Sequence, residues 1–176
     1  MSFKNNLIAL FFLMAAVLII ILPSEMQLIQ NPIKVDPKLY VSKVSQNNPT
    51  RINIQSVSID LPVTDSKVVN GYWELSDTTA SYGMGSGKPG NPGNIVIFAH
   101  ARQGLFYNLK DIKEGDIVVV STKDKKFKYK VNKITSVYPT EIEVVKPTKT
   151  ETLTLYTCSG FYDEKRLIVQ ALPVKE

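Results

Sequence analysis

The sequence predicts an all-β protein, a closed or nearly closed barrel of short strands, preceded by an N-terminal transmembrane helix. Three observations carry this reading. Between residues 51 and 172 there are seven or eight short runs rich in Val, Ile, Thr, Tyr and Phe, set apart by Gly, Pro, Asn and Asp. One brief helical pattern interrupts them. An unbroken apolar run stands alone near the N-terminus.

That run, residues 7–22 (LIALFFLMAAVLIIIL), has sixteen residues and no polar side chain. As a helix it is roughly 24 Å long, against ~30 Å for a hydrocarbon core. Phe3 before it and Met26, Leu28 and Ile29 after it extend the apolar surface into the interfaces. Lys4 is the only basic residue ahead of it, which orients a cytoplasmic N-terminus and an exported C-terminus. Residues 20–30 hold no Ala-X-Ala-like cleavage site. The expectation is a cytoplasmic segment 1–6, an uncleaved signal anchor 7–23 in contact with membrane lipid, and an extracellular remainder. A cleaved signal peptide is the alternative. A buried core helix would need a larger protein around it.

Residues 24–50, with Pro32, Pro37 and Gln46-Asn47-Asn48, read as a polar stalk, and residues 51–176 as the folded domain. Ile52, Ile54, Val57 and Ile59 roughly alternate with polar neighbours. Val68-Val69, Asn70-Gly71 and Tyr72-Trp73 read as a hairpin. Residues 94–99 (NIVIFA) read as a strand buried on both faces, and residues 105–112 as a short helix closed by Glu114-Gly115. Further strands are expected at 116–122, around Phe127, Tyr129 and Val131, at 152–157 and at 166–172.

Composition narrows the chemistry. The chain has one His, His100, and one Cys, Cys158. A His/Cys metal cluster and an intramolecular disulfide are therefore excluded, and no cofactor is expected. The net charge of +5 comes from 18 scattered lysines and three arginines against 16 acidic residues. That pattern fits an anionic surface nearby rather than a nucleic-acid reader.

Several formal motifs carry little. Gly85-Ser86-Gly87-Lys88-Pro89-Gly90 fits G-x-G-x-x-G, but Pro89 and Pro92 prevent the helix that would meet a pyrophosphate. No clean strand is read before it, and a flexible loop is expected. Leu61-Pro62-Val63-Thr64-Asp65 is expected as a strand-edge turn, and residues 123–133, rich in lysine, as the solvated face of a hairpin.

Cys158 ends the apolar run Thr154-Leu155-Tyr156-Thr157, His100 ends the run at 95–99, and Arg166 opens the next strand eight residues after Cys158. If the Cys and Arg strands pair as antiparallel neighbours, one barrel rim gathers all three. A thiol with an ordinary pKa of ~8.5 is only a few per cent thiolate at neutral pH, and a neighbouring cation favours the attacking anion. An imidazole can protonate a leaving amine and later deprotonate an incoming one. A guanidinium can donate to a tetrahedral oxyanion without changing its own charge. The bland alternative is a buried Cys and a surface His in a noncatalytic barrel.

Thr154-Leu155-Tyr156-Thr157-Cys158, Arg166 on the following strand, and His100 followed by Gly104-Leu105-Phe106, Leu109 and Gly115-Asp116 resemble the signature of the sortases, membrane-anchored cysteine transpeptidases. The resemblance spans about residues 52–172. It implies a closed eight-stranded sortase barrel with one or two short helices, and catalytic His100, Cys158 and Arg166. The implied reaction is cleavage of a Leu-Pro-X-Thr-Gly-like signal between Thr and Gly through a thioacyl enzyme. The acyl group then passes to an amine of a cell-wall precursor or a pilin, so sorting-signal-bearing surface proteins are the implied partners. The resemblance also sets residues 139–147 beside the peptide groove. Ile142, Val144 and Val145 are its candidate substrate contacts, with core packing as the alternative, and Thr157 is a further candidate beside the nucleophile. Ala99 departs from a common Gly, and Arg102 competes with Arg166, although order favours Arg166. The anchor and the short Cys–Arg loop look class D- or class E-like. A peptidoglycan L,D-transpeptidase would need Ser-His-Gly before the cysteine, where Tyr156-Thr157 stand. A noncatalytic wall-binding module remains the alternative of a different class.

Overall fold

The computed structural model describes residues 32–40 and 47–174. The expected anchor at residues 7–23 lies outside the described residues. Among those described, no helix is long and apolar enough to cross a membrane.

Eight strands close the barrel: β1 (Arg51–Ile54), β2 (Ile59–Ser66), β5 (Ala80–Gly83), β6 (Gly93–Phe98), β7 (Ile117–Ser121), β8 (Lys126–Val137), β9 (Glu151–Ser159) and β10 (Lys165–Pro173). They run in the order β1-β2-β5-β6-β9-β10-β8-β7, and β7 returns to β1. A separate hairpin, β3 (Val68–Val69) and β4 (Tyr72–Trp73), turns at Asn70-Gly71 with φ of 54° and 80°, the left-handed values a two-residue hairpin turn requires. The helical pattern at 105–112 is a 3-10 helix, Phe106–Asp111, whose Phe106 and Leu109 enter the core. Closure leaves the barrel without an edge strand, which suits a domain with so little helix to cover one.

The two-residue period of each strand divides its side chains between two cores. Ile95 and Ile97 of β6, Leu153 and Leu155 of β9, and Val169 and Ala171 of β10 fill the barrel interior. Val96 and Phe98, Tyr156, and Ile168 face outward and are buried in a second cluster. That cluster explains why residues 94–98 read as buried on both faces. The parallel pairing of β6 with β9, Phe98 opposite Tyr156, sets both strands in one register.

What covers the outer cluster comes from the stretch read as stalk. Residues 32–40 lie across it as a strap: Ile33, Val35 and Tyr40 are buried against Trp73, Phe98, Tyr156 and Ile168. Val35 donates its N–H to Gly71 O at 2.8 Å, and Tyr40 Oη donates to Val145 O at 2.8 Å. Tyr40, Trp73, Phe98 and Tyr156 form a continuous run of ring contacts, edge-to-face at Tyr40–Trp73 and stacked beyond it, with centroid spacings of 4.8, 5.9 and 4.8 Å. Each such pair contributes about 0.5–1.5 kcal/mol beyond area burial. Ile33, Val35 and Tyr40 fall at irregular spacing among polar residues, so no strand or helix period announced them.

Two loop expectations need correction. A strand, β5, does precede the glycine-rich loop of residues 84–92, which hydrogen bonds tie to β5 and β6. Gly87 N–H donates to Asn94 O at 2.7 Å, and the buried Ser86 Oγ accepts from Val96 N at 3.2 Å. Tyr82 Oη donates toward the carbonyls of Ser86 and Gly87, both at 3.1 Å. The Leu61–Asp65 run is not a turn but the interior of β2, because Ile59 and Val63 both point into the barrel.

Candidate active site

β9 and β10 are antiparallel, and their register sets Cys158 directly opposite Arg166. Tyr156 and Cys158 share the outer face of β9, as Ile168 and Arg166 share that of β10. On the other side of β9 the parallel partner β6 ends at Phe98, and Ala99 N–H donates to Tyr156 O at 3.3 Å. Continuing that register by two residues brings His100 level with Cys158. Cys158, Arg166 and, two residues past the end of β6, His100 therefore lie on one rim.

Arg166 is 1% exposed, an uncommon place for a guanidinium. Its Nη1 donates to Asp163 O and Lys165 O, both at 2.7 Å, so the turn before β10 orients the head group. That turn is tight: Gly160, Tyr162 and Asp163 all have φ between 52° and 82°. Arg102, the competing arginine, is half exposed and engages Asp77 instead.

Cys158 is half-buried. Burial pushes its thiol pKa up; Arg166 pulls it down and the Asp163 carboxylate adds to the rise. His100 is pushed the other way, down, by burial and by Arg102, while Asp77 and Asp163 partly restore it. Both shifts favour neutral thiol and neutral imidazole at rest. Asp163 acts on both members, and neither Asp163 nor Asp77 carried a sequence signal, since each sits in an irregular loop.

The substrate-contact candidates divide. Ile142 and Val144, in the 3-10 helix Ile142–Val145, are half-buried at the edge of the outer cluster. Val145 is 1% exposed within that cluster, and its carbonyl accepts from Tyr40 Oη. Thr157 points away from Cys158. Alternation along β9 turns it to the opposite face from Cys158, where it is buried and its Oγ1 donates to Ala99 O at 2.8 Å. It clasps the end of β6 beside His100 and does not face a groove.

Residues 52–174 match the Sortase domain family. The chain belongs to the sortase family. Sortase A of Bacillus anthracis is 29% identical over 128 residues, covering 69% of this chain and 57% of that protein. Sortase A of Streptococcus agalactiae serotype III is 31% identical over 132 residues, covering 68% of this chain and 50% of that protein. The chain thus spans about half the length of these relatives. A Clostridium perfringens sortase C solved with the C-terminal cell wall sorting motif superposes with a TM-score of 0.63 at 25% identity, covering 76% of this chain and 75% of that one. Sortases named A, C and D are all among the similar proteins, so no one class is singled out.

Proposed function

We propose that this chain is a cysteine transpeptidase that cleaves a Leu-Pro-X-Thr-Gly-like sorting signal between Thr and Gly and transfers the protein to an amine of the cell wall or of a pilin. The observation that carries this is the registered pair Cys158–Arg166, with His100 at the end of the next strand. The related sortase C structure bears a sorting motif, which supports the substrate class.

As substrate docks, Cys158 Sγ attacks the Thr carbonyl carbon while its proton passes to His100. Arg166, held by two backbone carbonyls, stabilises the oxyanion in a site where burial strengthens the interaction. Collapse breaks the Thr–Gly C–N bond, and His100 returns the proton to the departing amine. The incoming amine then attacks the thioester and gives its proton to His100, the C–S bond breaks, and His100 passes that proton to the departing Cys158 sulfur. Ile142 and Val144 receive apolar residues of the signal, since they present partly open surface next to the outer face of β9. Residues 7–23 anchor the enzyme in the membrane with the barrel outside, where surface proteins and wall precursors meet it.

The experiment mixes the protein with a Leu-Pro-X-Thr-Gly peptide and a glycine nucleophile and follows amide exchange by mass spectrometry. Exchange that disappears in Cys158→Ala is expected. Full exchange in Cys158→Ala overturns the mechanism, and no exchange with any signal or amine leaves the wall-binding module as the better reading.

A further inference from the structure

Resting on the proposed role of His100, we propose that Asp77 is a positioning residue that holds and charge-compensates the His100 imidazole, and that Arg102 serves the reaction by holding Asp77. Asp77 Oδ1 lies 3.5 Å from His100 Nε2 and 3.6 Å from Arg102 Nη2. Arg102 Nη2 also donates to the Asp77 backbone carbonyl, so one guanidinium grips the residue at both ends.

Although its side chain is 82% exposed, Asp77 rides on a built turn. Ser76 Oγ accepts from Thr78 N at 3.3 Å, Thr79 N at 3.2 Å and Thr79 Oγ1 at 2.8 Å. Ser76 N donates to Ser81 Oγ on β5 at 3.1 Å, and Thr79 Oγ1 lies 2.7 Å from Thr64 Oγ1 on β2. Two barrel strands therefore fix the turn that presents the carboxylate.

The histidine needs such a partner. Its backbone is held, because Phe106 N–H donates to His100 O at 3.0 Å and the preceding Ala99 is tied to β9. Among the described residues the ring itself makes no hydrogen bond. With Nε2 turned to Asp77, Nδ1 is the nitrogen left to exchange protons with the thiol and the departing amine. At 3.5 Å the pair is at ion-pair distance and longer than a hydrogen bond, so the contact strengthens when His100 takes the thiol proton. The charged groups around the ring are Asp77 from the β4–β5 turn, Arg102 after β6, and Asp163 from the β9–β10 turn, with Cys158 and Arg166 on the neighbouring strands. Arg102 opposes the imidazolium, whereas Asp77 and Asp163 favour it.

Because His100 is the sole histidine, its titration and tautomer are read without overlap in 15N-histidine-labelled full chain in detergent, carrying Cys158→Ala to remove the thiol. Asp77→Asn is expected to move the imidazole titration to lower pH and to deplete the Nε2–H tautomer. In the otherwise wild-type enzyme it is expected to lower kcat by roughly tenfold with little change in KM, and to carry the acidic limb of kcat/KM to lower pH. Asp77→Glu restores part of both effects. Arg102→Gln costs about two- to threefold alone and nothing further in Asp77→Asn, the non-additivity of residues that act as one unit. An unmoved titration and tautomer in Asp77→Asn overturns the proposal, as does wild-type kcat with an unmoved pH limb. If the titration moves while the wild-type chain exchanges no amide, the positioning role stands and the transpeptidase reading fails.

Discussion

Cys158 and Arg166 face each other as a directly registered cross-strand pair, with the guanidinium buried and its Nη1 tied to the carbonyls of Asp163 and Lys165. A lysine in that position supplies charge but not the planar fork that two carbonyls and an oxyanion can share. Arg166→Lys and Arg166→Ala are each expected to lower kcat by about 10²-fold or more, the usual cost of losing an oxyanion donor. Steady-state transpeptidation kinetics check this, and Arg102→Ala serves as the mild comparison.

The raised thiol pKa has a definite sign. Less thiolate at neutral pH means slow alkylation by iodoacetamide, with a rate that climbs only as pH passes above the ordinary thiol range. Asp163→Asn removes an anion that disfavours thiolate, so its alkylation profile is expected to shift to lower pH. Arg166→Ala removes the favourable cation and is expected to shift it to higher pH. Parallel shifts in the two variants would show that these charges do not govern the thiol.

Thr157 and Ile142 are expected to separate stability from binding. Thr157→Val loses the buried bond to Ala99 O, and is expected to cost about 1 kcal/mol of stability without changing KM. Ile142→Ala trims partly open apolar surface, and is expected to raise KM by about tenfold with kcat nearly unchanged. Thermal melts and a KM series report the two effects.

The strap is expected to loosen without the barrel. At Gly85, φ is +87°, and an added Cβ would sit 2.6 Å from the Tyr40 backbone. Gly85→Ala is expected to cost about 1–3 kcal/mol from backbone strain alone. In that variant hydrogen exchange at the Val35 amide speeds up, while amides along β6 and β9 keep their protection. Unchanged Val35 exchange would mean that the strap does not depend on this contact.

What could be read along the chain was whatever repeats at short range. The period-two alternation of Leu153, Leu155 and Thr157 against Thr154, Tyr156 and Cys158 announces β9 and its two faces. A lone Cys, a lone His and an Arg at strand ends mark a rim, and residues 154–158 tie it to a family. The alternation also held the information that Thr157 and Cys158 face opposite ways; proximity to the nucleophile in sequence obscured it. Val145 was harder, because its burial depends on a tyrosine 105 residues away.

The sequence by itself determined most of the strands, the strand-end positions of His100, Cys158 and Arg166, and the family, since each rests on local period or residue identity. Only the tertiary structure decided that residues 32–40 cover the outer cluster, that Asp77 and Asp163 oppose the lowering of the His100 pKa by burial and Arg102, and that Arg102 pairs with Asp77. These arrangements join segments distant in the chain. Side-chain burial and charge at a distance leave no period in the segments that supply them.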